Sequence, residues 1–133
     1  MGPFSKKFRP EYAKTLLKIA GGDLNTAEAL LGNKNVRPEN ICFLAQQAIE
    51  KCIKAVLCHK NLSVPQVHDL EALVAAVPDN CPSIPGIEQL GDLTEFATVR
   101  RYEEGYQELE PPEMLAVVKT ARECIEWAKK IVK

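Results

Sequence analysis

The stretch NICFLAQQAIEKCIKAVLCHK, residues 40–60, decides how this chain folds. It contains neither Gly nor Pro, and Pro38 stands just ahead of it, where a locked φ suits the first turn of a helix. On a 3.6-residue repeat, Ile41, Leu44, Ala45, Ala48, Cys52 and Val56 fall on one side. Gln47, Glu50, Lys51 and Lys54 fall on the other, and Phe43 and Leu57 project into that polar side. A helix with one buried face should not carry Phe among its charges. The pattern therefore predicts a helix covered on two sides, by its own bundle and by a second copy or partner.

The neighbouring segments read as helices too. Residues 10–31 carry an unbroken i, i+3, i+4 stripe of Ala13, Leu16, Leu17, Ala20, Leu24, Ala27 and Leu31. The stripe keeps its phase across Gly21-Gly22, although each glycine costs about 1 kcal/mol against Ala in a helix interior. GNKN (residues 32–35) is a turn, and NLSVPQ (residues 61–66) ends the second helix. A short third helix is expected over 67–77 and a fourth over 87–101, with a three-proline loop between them. A fifth opens at Pro112-Glu113, where proline and acid suit an N-terminus. No segment alternates with period two, so no strand is expected. The fold class is all-α: an antiparallel up-and-down bundle of four long helices plus one short helix that caps an end.

At 133 residues the chain fits a single domain, residues 1–133, with residues 1–8 as a flexible lead-in. A domain of this size hides roughly two-thirds of its unfolded surface, enough for one core without staples. A 46% apolar and 26% charged composition is ordinary for a globular protein. A net charge of -1 argues for neither nucleic acid nor membrane. Five cysteines is an odd count, and four of them (Cys42, Cys52, Cys58 and Cys124) sit in helical patterns, where a free thiol acts as a small apolar group. With no secretory leader and no apolar run near 18 residues, a reduced, cytoplasmic protein is expected.

Chemistry is sparse. Continuing the fourth helix's repeat by one step puts Arg101 on the apolar face with Thr94 and Ile87, and Arg100 beside Leu93. A guanidinium there must be paired or reach a cleft. It either snorkels to water at the bundle's end or forms, with its neighbour, a phosphate- or carboxylate-binding pair. Gln47, Glu50, Lys51 and Lys54 are the partners the second helix offers. Cys58-His59 is a weak metal or nucleophile signal, because a helix C-terminus disfavours a thiolate. His68-Asp69 suits a helix start. Trp127 lies off the last helix's inner stripe. No Gly-rich phosphate loop, nucleophile elbow or zinc motif occurs. No cofactor and no metal site is expected.

FLAQQAIEKCIKAVL (residues 43–57), VHDLEAL (67–73), TVRRY (98–102) and the closing helix resemble the HEPN family, whose name abbreviates higher eukaryotes and prokaryotes nucleotide-binding. The resemblance implies a small helical bundle that dimerises through its central helices and pairs with a minimal nucleotidyltransferase, often as a toxin-antitoxin system. Members that cut RNA carry an Arg followed after four to six residues by His. Here no His follows Arg100 and Arg101, and neither His59 nor His68 has an Arg at that distance upstream. Arg101-Tyr102 resembles instead the Arg-Tyr of non-nuclease members. The expectation is therefore a non-catalytic homodimer binding a nucleotide or polyphosphate, a nucleotidyltransferase, or both. Its ligand-binding residues would be Arg100, Arg101, Tyr102, Gln47, Lys51 and Lys54, and its dimer interface Phe43, Gln47, Glu50 and Leu57. The alternatives are a ribonuclease of unusual design, with Arg100 and Tyr102 or Tyr106 at its centre, and an interaction module without a ligand.

Overall fold

The computed structural model describes residues 5–67, 69–89 and 110–133. Its helices are α1 (Tyr12–Leu30), α2 (Pro38–His59), the short α3 (Leu70–Ala76) and α4 (Pro111–Ile131). α2 packs against α1 and α4, and those two also touch each other. α1 runs unbroken through Gly21 and Gly22, as the phase of its stripe predicts. Pro38 is at the start of α2, with Glu39 in the positively polarised first turn.

α2 ends in a Schellman turn. Asn61 takes φ 57°, its N–H reaches the Cys58 carbonyl at 3.0 Å, and the Leu62 N–H reaches the Leu57 carbonyl at 2.9 Å. Asn is among the few side chains that accept this left-handed geometry. α3 starts at Leu70 because Asp69 caps it: its carboxylate accepts the Glu71 N–H at 3.0 Å. That makes α3 shorter than the expected 67–77. Pro111 opens α4, and the Glu113 carboxylate accepts the Glu110 N–H at 3.3 Å.

Three features depart from the sequence reading. Ser5–Lys6 (β1) pairs antiparallel with Val64–Pro65 (β2), Ser5 opposite Pro65 and Lys6 opposite Val64. A pair two residues long leaves no alternation to detect. Among the described residues there are three long helices and one short one, not four and one. The expected fourth helix begins as a 3-10 turn, Ile87–Gln89, and residues 90–101 lie outside the described residues.

The third departure concerns α2 itself. Thirteen of its 22 residues are buried, and at 100° per residue they occupy roughly two-thirds of its circumference. Leu57 is among them at 0% exposure. It does not join Phe43 on an open face, because the chain reverses over it at Leu62 and both β2 and α3 pack back onto α2. Residues 5–9 close the same end. The Cys58 thiol donates to the Arg9 carbonyl at 3.0 Å, and Phe8 packs on the core while stacking on Tyr12 with ring centroids 5.5 Å apart.

The loop before the 3-10 turn lies along α4. The Trp127 indole N–H donates to the Pro82 carbonyl at 2.9 Å, and the Cys124 thiol reaches the Pro85 carbonyl at 3.7 Å. Gly86 takes φ +68°, and a Cβ there would sit 2.9 Å from Thr120 Cγ2. Glycine is required at that contact by both angle and distance.

Two outcomes follow for stability. No atom lies within 4 Å of a Cβ added at Gly21 or Gly22. Gly21→Ala and Gly22→Ala should therefore each stabilise the protein by about 1 kcal/mol in urea unfolding. Leu57→Ala should cost about 2–5 kcal/mol, independent of protein concentration, because the side chain belongs to its own chain's core.

Candidate functional site

The arc of α2 that remains open carries Phe43, Leu44, Gln47, Lys51 and Lys54. Phe43 is 46% exposed, the only exposed large apolar side chain on α2. Gln47 and Lys54 flank it, both half-buried. Their spacing of four and eleven residues places all three on one strip. Lys51 lies at the strip's edge, where its ammonium pairs with the Asp23 carboxylate of α1. Lys54 has no such partner among the described residues, so it is the α2 cation most available to an outside anion.

The structure thus brings Phe43, Gln47, Lys51 and Lys54 together and separates Glu50 and Leu57 from them. Glu50 is only 6% exposed, and its carboxylate accepts the Gln46 side-chain N–H at 3.4 Å. An i, i+4 pair on the flank of an apolar stripe is drawn inward when the neighbouring elements wrap far enough round the helix. The Gln46 carbonyl oxygen is buried and has no hydrogen-bond partner among the described residues. Glu50 therefore does not stand with Lys54 on an exposed ridge, where the spacing of the two had placed them. Arg100, Arg101, Tyr102, Tyr106 and His68 lie outside the described residues.

Three of the thiols are poor nucleophiles. All five cysteines are free. Burial pushes the Cys124 thiol up to about 12, and the neighbouring Glu123 adds to that. Burial likewise raises Cys52, and the Cys124 beside it raises it further. Cys58 is raised by burial and then by Glu11, and its proton is engaged by the Arg9 carbonyl. Each stays a neutral thiol at neutral pH, which disfavours attack by Cys58 on any substrate. Among the described residues no group of three His, Cys, Asp or Glu side chains could hold a metal ion. No helix described is long and apolar enough to cross a membrane.

A groove of about 500 Å³ lies elsewhere, between Gly86, Ile87 and Glu88 on one wall and Lys119, Thr120 and Glu123 of α4 on the other. Of the described residues singled out in the sequence as ligand-binding, Gln47, Lys51 and Lys54, none lines it. The residues that shape this side, Trp127, Cys124 and Thr120, were legible only in part. A Trp off the inner stripe must find an acceptor for its N–H, but the sequence does not say which.

The HEPN domain family matches residues 13–132. No curated protein matches the chain. Among solved structures it is similar to the crystal structure of TT1696 from Thermus thermophilus, at 21% identity and a TM-score of 0.74. That alignment covers 90% of this chain and 97% of TT1696. A likeness at that identity speaks to the fold alone, and it agrees with the helical class. With nearly its whole length matched by the family, this chain belongs to the HEPN domain family.

Proposed function

We propose that this HEPN protein acts without catalysis, as a homodimer that binds a nucleotide or polyphosphate, a minimal nucleotidyltransferase, or both. The single observation behind this reading is Phe43, left 46% open on a helix of which thirteen of 22 residues are buried. An apolar ring held rigidly on a helix, rimmed by an amide and a cation, has the make-up of an interface centre rather than of a solvated surface. In a two-fold pairing α2 meets its own copy, and Phe43 lies near the axis. Burying half a Phe side chain contributes about 1 kcal/mol per copy, so the seam also recruits Leu44, Gln47 and surrounding surface.

For the ligand, Lys54 supplies charge from α2, and Arg100 and Arg101 supply the planar forks that suit phosphate oxygens. Tyr102 and Gln47 add hydrogen bonds. Lys51 contributes less than its spacing suggests, because Asp23 holds it. With no Arg-x4-6-His motif in the sequence, the site lacks the imidazole that would shuttle protons in phosphodiester cleavage.

Phe43→Glu should yield monomers in sedimentation velocity where wild type sediments as a dimer; monomeric wild type would remove the seam. In thermal melts with ATP, wild type should be stabilised, by about 2.7 kcal/mol at a hundredfold excess over Kd. Arg101→Ala should fold and lose that shift, and Lys54→Ala should lose part of it. No shift in wild type with ATP, GTP or inorganic triphosphate would end the ligand half of the proposal. Cleavage of transfer RNA that disappears in Arg100→Ala would end the non-catalytic half.

A further inference from the structure

The end of the fold where α1 begins and α2 stops is strongly cationic. The strap before α1 carries Lys6, Lys7 and Arg9, α1 carries Lys14 just inside its start, and Lys60 closes α2. All five are exposed, and none makes an ion pair among the described residues. Residues 5–14 and 58–66 hold one carboxylate between them, Glu11, and the next acid along, Asp69, is engaged as the cap of α3. A chain whose net charge is only -1 thus gathers five unpaired cations at one end.

Tertiary contacts hold them there. Lys6 stands opposite Val64 in the strand pair, a few residues past Lys60. The Arg9 carbonyl accepts both the Cys58 thiol at 3.0 Å and the Tyr12 N–H at 2.9 Å. Phe8, between the strap's cations, packs on the core and stacks on Tyr12 with the ring planes 27° apart. Tyr12 stays 38% exposed beside them.

From this we infer that this end is a binding surface for single-stranded nucleic acid: the cations take phosphates, and Tyr12 takes a base. Like charges crowded together repel and weaken the fold. The strap that bears three of them is nevertheless pinned by a strand pair, a thiol hydrogen bond and a core-packed ring. A backbone held in this way loses little further freedom on meeting a polyanion. Other polyanions fit less well. An anionic membrane surface calls for an apolar group to enter it, and Phe8 is turned onto the core instead. An acidic protein calls for an apolar anchor in a pocket. Tyr12, already stacked on Phe8, offers a π-stack that a base can join. Phe43 and Lys60 lie near opposite ends of α2, about 25 Å apart along its axis, so this surface stands or falls separately from the dimer and nucleotide reading.

Fluorescence anisotropy of the full chain with labelled oligouridylate and oligothymidylate of about twelve nucleotides tests this. Between about 50 and 200 mM salt the affinity should fall about a hundredfold, a log–log slope of about -3.5 for five phosphate contacts. The triple variant Lys6→Gln, Lys7→Gln, Arg9→Gln should reduce that slope by about 2, and Arg9→Gln alone by about 0.7. Lys34→Gln, which removes the same charge from the turn after α1, should leave affinity and slope unchanged. Tyr12→Ala should weaken binding about tenfold with the slope intact, which a loss of charge alone would not do. Each variant replaces an exposed side chain, and urea unfolding checks that it folds.

No binding of either oligonucleotide at about 50 mM salt would overturn the inference, as would equal losses in Arg9→Gln and Lys34→Gln. Competition by oligoglutamate or by phosphatidylserine vesicles as effective as that by unlabelled oligonucleotide would overturn the nucleic-acid assignment. Preference for oligouridylate assigns the surface to RNA, preference for oligothymidylate assigns it to DNA, and equal binding means that it takes either strand; all three support it.

Discussion

The structure depends on one constraint: α2 is enclosed by its own chain over most of its surface. Ile41, Ile49, Ile53, Val56 and Leu57 are each 2% exposed or less, and α2 packs against α1 on one side and α4 on another. Each such side chain contributes about 1.5–3 kcal/mol on leaving water. Alanines and cysteines at 45, 48, 52 and 55 fill the gaps between them, small enough to let neighbouring helices approach closely. Everything else is arranged to complete this enclosure. The Schellman turn sends the chain back over Leu57, and the strap of residues 5–9 pairs with β2 and accepts the Cys58 thiol proton at the same end.

That enclosure explains where the polar groups end up. Glu50 and Gln46 lie on the buried arc and bond to each other, because an unpaired carboxylate there would be costly. Lys51 lies at the edge and bridges to α1, a partly exposed pair worth little in stability but useful in registering the two helices. The strip of Phe43, Gln47 and Lys54 escapes, and the reading of function concentrates there. Membership in the HEPN family rests on the match over residues 13–132 and does not depend on that strip.

Much of this was legible in the sequence. The long stripes of α1, α2 and α4 outlast any local irregularity, and Pro38, Asn61, Asp69 and Pro111 mark helix ends by known backbone preferences. Leu57 was not legible, because periodicity sorts residues around one helix and cannot see what another part of the chain lays over it. Glu50 looked like a surface partner of Lys54 for the same reason. The Asp23–Lys51 and Trp127–Pro82 contacts join residues 28 and 45 apart, and no spacing rule reaches that far. The candidate site was legible as residue types, lysines and arginines near an aromatic ring, but not as a geometry. Leu57 and Glu50 dropped from the exposed face once the enclosing elements were in place.

If α2 is covered chiefly by its own chain, its protection from solvent must not depend on a second molecule. Native-state hydrogen exchange of the α2 amides, measured across a hundredfold range of protein concentration, tests this most directly. The amides of residues 45–57 should be the slowest in the protein and should stay protected in the dilute monomer, with concentration adding only the stability that dimer formation contributes to global unfolding. Protection that collapses on dilution would mean that a second molecule, not α1 and α4, keeps this helix from water.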